Sequence, residues 1–379
     1  MGQTVKSLGN RKRKNLNGES RMSLTEQEKK LLTLIGEDPS LSVSQLQCEL
    51  QYKRVNTVSK KMRDLRKAGY ILGPYYHINL NAVGKNRIHN VLAEIRFDPK
   101  QYDAVFELIT CIDCWEWIFP TIQGDTLFVV FRANYYTYLT RLLSILKNTG
   151  FIEYQVYSSQ NRWFIQNPNF FGNVFPVNTN LFEDITIDLT YPKRARDIKW
   201  RFIDLKVMQY FQVKTCSISE IQRIEKRKYG RFWRRSQIKY TIEKIIDAGI
   251  AERKHYNISP YPRDRCYAFL LLVEGDTANV QKFIVNFGKG CRIYKIFTMC
   301  KDMGFVLCWT SPQVGPVLMI TLEELYPRIE TRCLQVKSMY HPLKKSFNDE
   351  HFDFESQRWT FPYKEYKEQL ESVIEKRKG

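Results

Sequence analysis

The sequence predicts an α+β chain in which one plan is written twice: three short helices and an extended segment, then a βαββαβ unit. Three observations carry that prediction. The helical segments of the two halves align residue type by residue type. Each is followed by the same alternation of strand-like and helix-like periods. The excess positive charge is confined to the two helical segments.

In the first half, Ser23-Leu24-Thr25-Glu26 opens a helix, with Ser23 and Thr25 as candidate N-caps and acids in the first turn. Leu31, Leu32, Leu34 and Ile35 form its apolar side, and Gly36-Glu37-Asp38-Pro39 ends it. Ser42-Val43-Ser44 caps a second helix carrying Leu46 and Leu50. A third spans about Asn56 to Ala68, where Val58, Met62 and Leu65 are spaced to share one face. Gly69 stops it, and Tyr70 to Leu80 reads as extended chain with a turn at Gly73-Pro74. This is the outline of a winged helix-turn-helix. The second half begins near Ile203: Ser217-Ile218-Ser219-Glu220-Ile221 matches Ser42-Val43-Ser44-Gln45-Leu46, and Ile238, Ile242 and Ile245 fall on Val58, Met62 and Leu65. It carries about five extra residues around Lys226-Arg227-Lys228-Tyr229-Gly230. A repeat this long is a tandem of domains, not a solenoid.

After each trio the order is βαββαβ, the ferredoxin-like arrangement. The predicted domains are a basic tail (1–22), a winged helix-turn-helix (23–82), a ferredoxin-like domain (88–165), a linker (166–197), then a second winged helix-turn-helix (198–262) and ferredoxin-like domain (265–340). A tail (346–379) ends in a helix from Lys364 to Lys378, whose narrow stripe of Tyr366, Leu370, Val373 and Ile374 suits docking.

The chain has 379 residues and a formal charge of +19. Residues 1–80 carry a net +8 and residues 193–265 a net +12. Charge so placed implies an anionic partner for these segments. No apolar run approaches the roughly 18 residues of a membrane span, and the N-terminus has neither the apolar core of a secretory signal nor the Ser or Thr that myristoylation wants at position 6. A cytoplasmic, nucleoid-associated protein without a membrane partner is expected. Nine irregularly spaced cysteines fit reduced thiols; Cys111 and Cys114 alone have metal-like spacing and lack a second pair, so no metal is expected.

LTEQEKKLLTLIGEDPSLSVSQLQCEL and VNTVSKKMRDLRKAGYILGPYYHINLNAVG resemble the first helices, the recognition helix and the strand of the Lrp/AsnC family of leucine-responsive regulators. The following unit is similar to that family's sensing domain. The resemblance implies double-stranded DNA as partner, pairing as a homo-oligomer or an intrachain pseudo-dimer, and no cofactor beyond an unknown small effector. That effector would sit near Gly124-Asp125, a turn the second half replaces with Lys301-Asp302-Met303-Gly304.

A recognition helix brings its N-terminal residues to base edges, where short polar groups and Arg or Asn make bidentate contacts. Arg54, Asn56, Thr57, Ser59, Lys60 and Arg63 suit bases, and Arg66 and Lys67 suit phosphates. In the second copy Arg231, Trp233, Arg234, Arg235, Gln237 and Lys239 take these places. Two other functions compete. Siroheme decarboxylases resemble duplicated versions of this architecture and bind a tetrapyrrole through His and Arg. His77 and His255 fall at matching places, with no acid-base partner in sequence. A general DNA-coating protein would need the same charge. No catalytic motif is found, and the expectation is that the chain is not an enzyme.

Overall fold

A computed structural model describes residues 24–159, 161–163, 181–184, 198–213, 217–258, 267–289, 294–299, 302–310, 314–324, 328–337 and 343–378. The basic tail, most of the linker and Lys301 lie outside them. The first half runs α1 (Glu26–Glu37), α2 (Val43–Glu49), α3 (Val55–Lys67), β1 (Ile71–Ile78), the single turn α4 (Leu80–Val83), β2 (His89–Arg96), α5 (Tyr102–Cys111), β3 (Trp115–Pro120), β4 (Thr126–Ala133), α6 (Tyr136–Asn148), β5 (Glu153–Ser159) and β6 (Asn161–Trp163). The second runs α7 (Phe202–Val213), α8 (Ile218–Tyr229), α9 (Arg235–Asp247), β7 (Ala251–Ile258), β8 (Tyr267–Glu274), α10 (Thr277–Lys289), β9 (Tyr294–Met299), β10 (Met303–Thr310), α11 (Val314–Glu323), β11 (Glu330–Val336) and β12 (Leu343–Lys344). The helix α12 (Tyr363–Lys378) follows.

Local chemistry explains the helix starts. Thr25, not Ser23, caps α1, and Glu28 at the third position reaches back to the Thr25 backbone N–H. Ser42 and Gln45 form the same reciprocal cap on α2. The five extra residues of the second copy lengthen α8 to 12 residues against the 7 of α2. Lys226, Arg227 and Lys228 fill its last turn, where cations meet the negative end of the helix dipole.

The fold is α+β with two antiparallel five-stranded sheets. Their orders are β12-β3-β4-β2-β5 and β11-β8-β10-β9-β6. Within each, the half's own four strands follow the ferredoxin-like order. The fifth strand comes from the chain that leaves the other half: β6 lies on β9, and β12 on β3. Each exchange covers an open sheet edge. Alternation along β2 sorts its side chains. Val91, Ala93 and Ile95 face α5 and α6, and Leu92 joins Trp117, Phe119 and Phe128 against Leu270, Leu272, Phe305 and Leu307 of the other sheet. Glu94, only 2% exposed, receives a two-pronged bond from Arg332 of β11 at 3.0 and 2.6 Å and lies 2.7 Å from Arg96. A buried carboxylate needs such donors to offset its lost hydration.

The two predicted wings are corrected. Among the described residues neither helical trio has its own hairpin; β1 and β7 pair with each other, from Ile71 opposite Ile258 to Ile78 opposite Ala251. Gly73-Pro74 is an irregularity within β1 and not a turn. The reason is edge satisfaction: each copy brings one strand, and its free N–H and C=O groups find partners on the other's. Side chains cross over as well. Tyr256 and Ile258 of β7 complete the core under α1–α3, while Ile78 of β1 enters the core under α7–α9. His77 and His255 take equivalent register positions in this ribbon, His77 opposite Arg253 and His255 opposite Tyr75.

The C-terminal segment ties three parts together. Phe347, Phe352 and Trp359 pack with α7–α9 and with Leu80 and Ile88. Trp359 donates its ring N–H to the Leu80 carbonyl at 3.2 Å. A Cβ on Gly84 would come within 2.3 Å of that ring, so only glycine admits it. Tyr366, Leu370 and Ile374 of α12 then close the core over α5 and α6.

Ile78→Ala should cost about 2–5 kcal/mol by chemical denaturation, because it opens a cavity in a buried site. Hydrogen exchange should quicken in α7–α9, although the residue belongs to the first half. Loss confined to α1–α3 would contradict the crossed packing.

Candidate nucleic-acid interface

The recognition-type helices α3 and α9 are tethered by a buried acid on the first helix of their own trio. In the first copy Glu28 accepts Lys61 at 2.8 Å. In the second, Asp204 accepts Lys244 at 2.6 Å, the Thr241 hydroxyl at 2.9 Å and the Arg201 backbone N–H at 3.0 Å. Burial pushes the Asp204 carboxyl up, but these bonds outweigh it and hold it below the ordinary carboxylate range. The signal was present in sequence, since Glu28 and Asp204 are matching positions of the repeat.

With Val58, Met62 and Leu65 buried, α3 turns Asn56, Lys60 and Arg63 to solvent and leaves Thr57 and Ser59 half-buried. Arg54, at the helix N-cap, and Lys67, in its last turn, are exposed. Arg66 is exposed as well, and its guanidinium lies beside the Tyr256 phenol of β7, where α3 meets the ribbon.

The residues expected on α9 separate more sharply. Arg234, Arg235, Gln237 and Lys239 are exposed. Gln237 accepts the Arg234 backbone N–H at 2.8 Å, which commits its carbonyl to the helix start. Lys239 lies 3.6 Å from Glu243. Trp233 is half-buried against the trio's core, and its carbonyl accepts Gln222 at 2.9 Å. Arg231 is a half-buried strut: it donates to Glu225, 1% exposed, at 3.1 Å, and the Tyr210 hydroxyl meets the same carboxylate at 2.5 Å. Arg231 and Trp233, expected among the DNA contacts, both have partners within the protein. Lys226, Arg227 and Lys228, among the extra residues of the second copy, stand exposed on α8.

Two cavities lie elsewhere. One, of about 30 Å³, is lined by Asp113, Cys114, Arg132, Asn134 and His351 among others. It has room for a water. The other, of about 210 Å³, opens at the end of the sheet-to-sheet core among Arg96, Gln155, Tyr157, Glu274 and Arg332. Burial first, and the nearby carboxylates second, push the Tyr157 phenol up to about 12. Gly124 and Asp125 line neither. Gly124 holds the turn at φ +78, and Asp125 accepts the Thr126 hydroxyl at 3.0 Å. Burial raises the Cys114 thiol to about 12, which suits a packing role for that member of the Cys111–Cys114 pair. No group of three or more metal-type side chains occurs among the described residues.

Over its whole length the chain shares a fold with a siroheme decarboxylase. The solved structure of siroheme decarboxylase NirDL aligns with 93% of this chain and 100% of its own, at TM-score 0.52 and 11% identity. The same enzyme with an iron-uroporphyrin III analogue aligns with 92% and 99%, at TM-score 0.50. LrpA of Mycobacterium tuberculosis and LrpC of B. subtilis align with 36% and 37% of this chain and 93% and 96% of theirs, at TM-scores of 0.29 and identities of 22% and 13%. No family model matches the sequence, and no curated protein does. At 11% identity the NirDL likeness is one of fold. It overturns the expectation that the chain is not an enzyme, because the architecture that aligns from end to end is one on which an enzyme is built.

Arg231→Ala should destabilise by about 1–3 kcal/mol in urea, because Glu225 stays buried with a partner removed. Arg235→Ala should stay within about 0.5 kcal/mol. Asp204 adds stability above its unfolded pKa and loses it as pH falls through the lowered folded value. Asp204→Asn should therefore flatten the acid limb of a stability-against-pH curve.

Proposed function

We propose that the chain binds double-stranded DNA and reads its sequence chiefly through α3, as a regulator. The observation that carries this reading is the outer face of α3: Asn56, Lys60 and Arg63 stand free of the core on a helix fixed at its base by Glu28 and Lys61. Such a face suits base edges, with Arg54 and Lys67 placed for phosphates. The net +8 of residues 1–80, basic tail included, and the net +12 of residues 193–265 supply the long-range attraction. The sheets already face each other within one chain, so one molecule would present two unlike helices, and the site would be asymmetric.

A second reading is tetrapyrrole chemistry. The full-length likeness to siroheme decarboxylase NirDL favours it. The fit is poor in the two cavities described above: the larger is about 210 Å³, whereas drug-sized ligands occupy roughly 300–1,000 Å³. Only one histidine, His351, lines either. Its imidazole Nε2 is 2.7 Å from the Tyr366 hydroxyl, and burial lowers its pKa.

If about 6–10 phosphates are neutralised, duplex affinity should fall by roughly 10³–10⁵ between 50 and 200 mM salt. Lys60→Ala and Arg63→Ala should each cost about 1–3 kcal/mol against a selected sequence and less against random duplex. Affinity flat across salt would end this reading. A porphyrin absorbance band that titrates to saturation would favour the second.

A further inference from the structure

We propose that the second helix-turn-helix carries a binding surface for single-stranded nucleic acid, in which exposed aromatic rings stack on unpaired bases. The proposal rests on the nucleic-acid reading above and extends it to a different strand state.

Four large aromatic side chains of this one module are left in water: Phe232 is 75% exposed, Tyr240 58%, Tyr229 45% and Phe202 39%. Single exposed hydrophobics are ordinary on a protein surface, but here four large rings recur on one module. The rings sit at the start of α7, the end of α8, the connection into α9 and the first turns of α9. Every one has a cation over it. The Lys226 ammonium is 5.3 Å from the Phe232 centroid, and the Arg201 guanidinium 5.7 Å from that of Tyr240. Arg231 lies 4.7 Å from Phe202 and 4.8 Å from Tyr229, so one pinned guanidinium joins two rings. Because Arg231 is held by Glu225, this pair of rings is positioned before any partner arrives.

The surface is cationic as well as aromatic. Arg201, Lys226, Arg227, Lys228, Arg234 and Arg235 are exposed around the rings. The nearest acids on α7 and α8, Asp204 and Glu225, are turned inward and neutralised by Lys244 and Arg231. Aromatic platforms inside a positive groove are how proteins hold single strands without reading edges. Strand state follows from geometry. In a duplex the base faces are covered by their neighbours, and only edges show in the grooves. A flat ring held out in solvent finds a face to stack on only where bases are unpaired. α3 makes the contrast: Val55, at 39%, is its one large exposed hydrophobic, and its outer face is polar. The two halves thus present different chemistry, the first for base edges and the second for base faces.

The test uses the full chain and fluorescence anisotropy, with a labelled single-stranded oligonucleotide of about 16 nucleotides and the matching duplex. The wild-type chain should bind the single strand. Phe232→Ala should weaken that binding roughly tenfold and leave duplex affinity within about twofold. Phe232→Trp should restore it. Phe232 buries little, so folding should survive, and a thermal melt matched to wild type verifies that. Duplex binding without single-strand binding overturns this inference and leaves the DNA reading standing, whereas binding to neither overturns both. Unchanged single-strand affinity in Phe232→Ala also overturns it. So does a Phe232-dependent attachment to anionic phosphatidylglycerol vesicles that exceeds any effect on oligonucleotides, which would assign the rings to a membrane surface.

Discussion

The antiparallel ribbon of β1 and β7 is the interaction on which the rest depends. Among the described residues each strand pairs only with the other, and each inserts side chains into the helical trio at the far side. Remove one strand and the other has an unsatisfied edge, while both cores lose apolar wall. The ribbon therefore joins the two helical trios through shared strands and shared cores. It also places Arg66, whose guanidinium lies beside the Tyr256 phenol at this junction.

The same logic of reciprocal completion recurs in the sheets. Their inner faces form a shared apolar core with Glu94 and Arg332 paired at its end. Their outer edges exchange β6 and β12. The C-terminal segment breaks the symmetry, since Trp359 and α12 bind the second trio, α4 and the first ferredoxin-like domain. A duplicated chain has thus become one body with unlike surfaces.

Parts of the interface were legible in sequence because their causes are local. Val58, Met62 and Leu65 share a face by helical geometry alone, so the exposure of Asn56, Lys60 and Arg63 followed directly. The pairing of Arg231 with Glu225 was not legible, because the partner sits on another turn of chain and a basic residue before such a helix looks the same whether it is pinned or free. Gln237 shows an intermediate case: a capping pattern is readable, yet it competed with a groove role that the same residue type would fill.

What the sequence determined by itself was the set of elements, their duplication and the places where charge accumulates. Each of these arises within a dozen residues of chain, from periodicity, caps and composition. What only the tertiary structure decided was pairing: a crossed ribbon in place of two wings, β6 and β12 traded between sheets, and which cations remain free. Those choices depend on groups about 180 residues apart. An unpaired strand edge or a buried carboxylate has a definite need that local pattern does not address to any one partner.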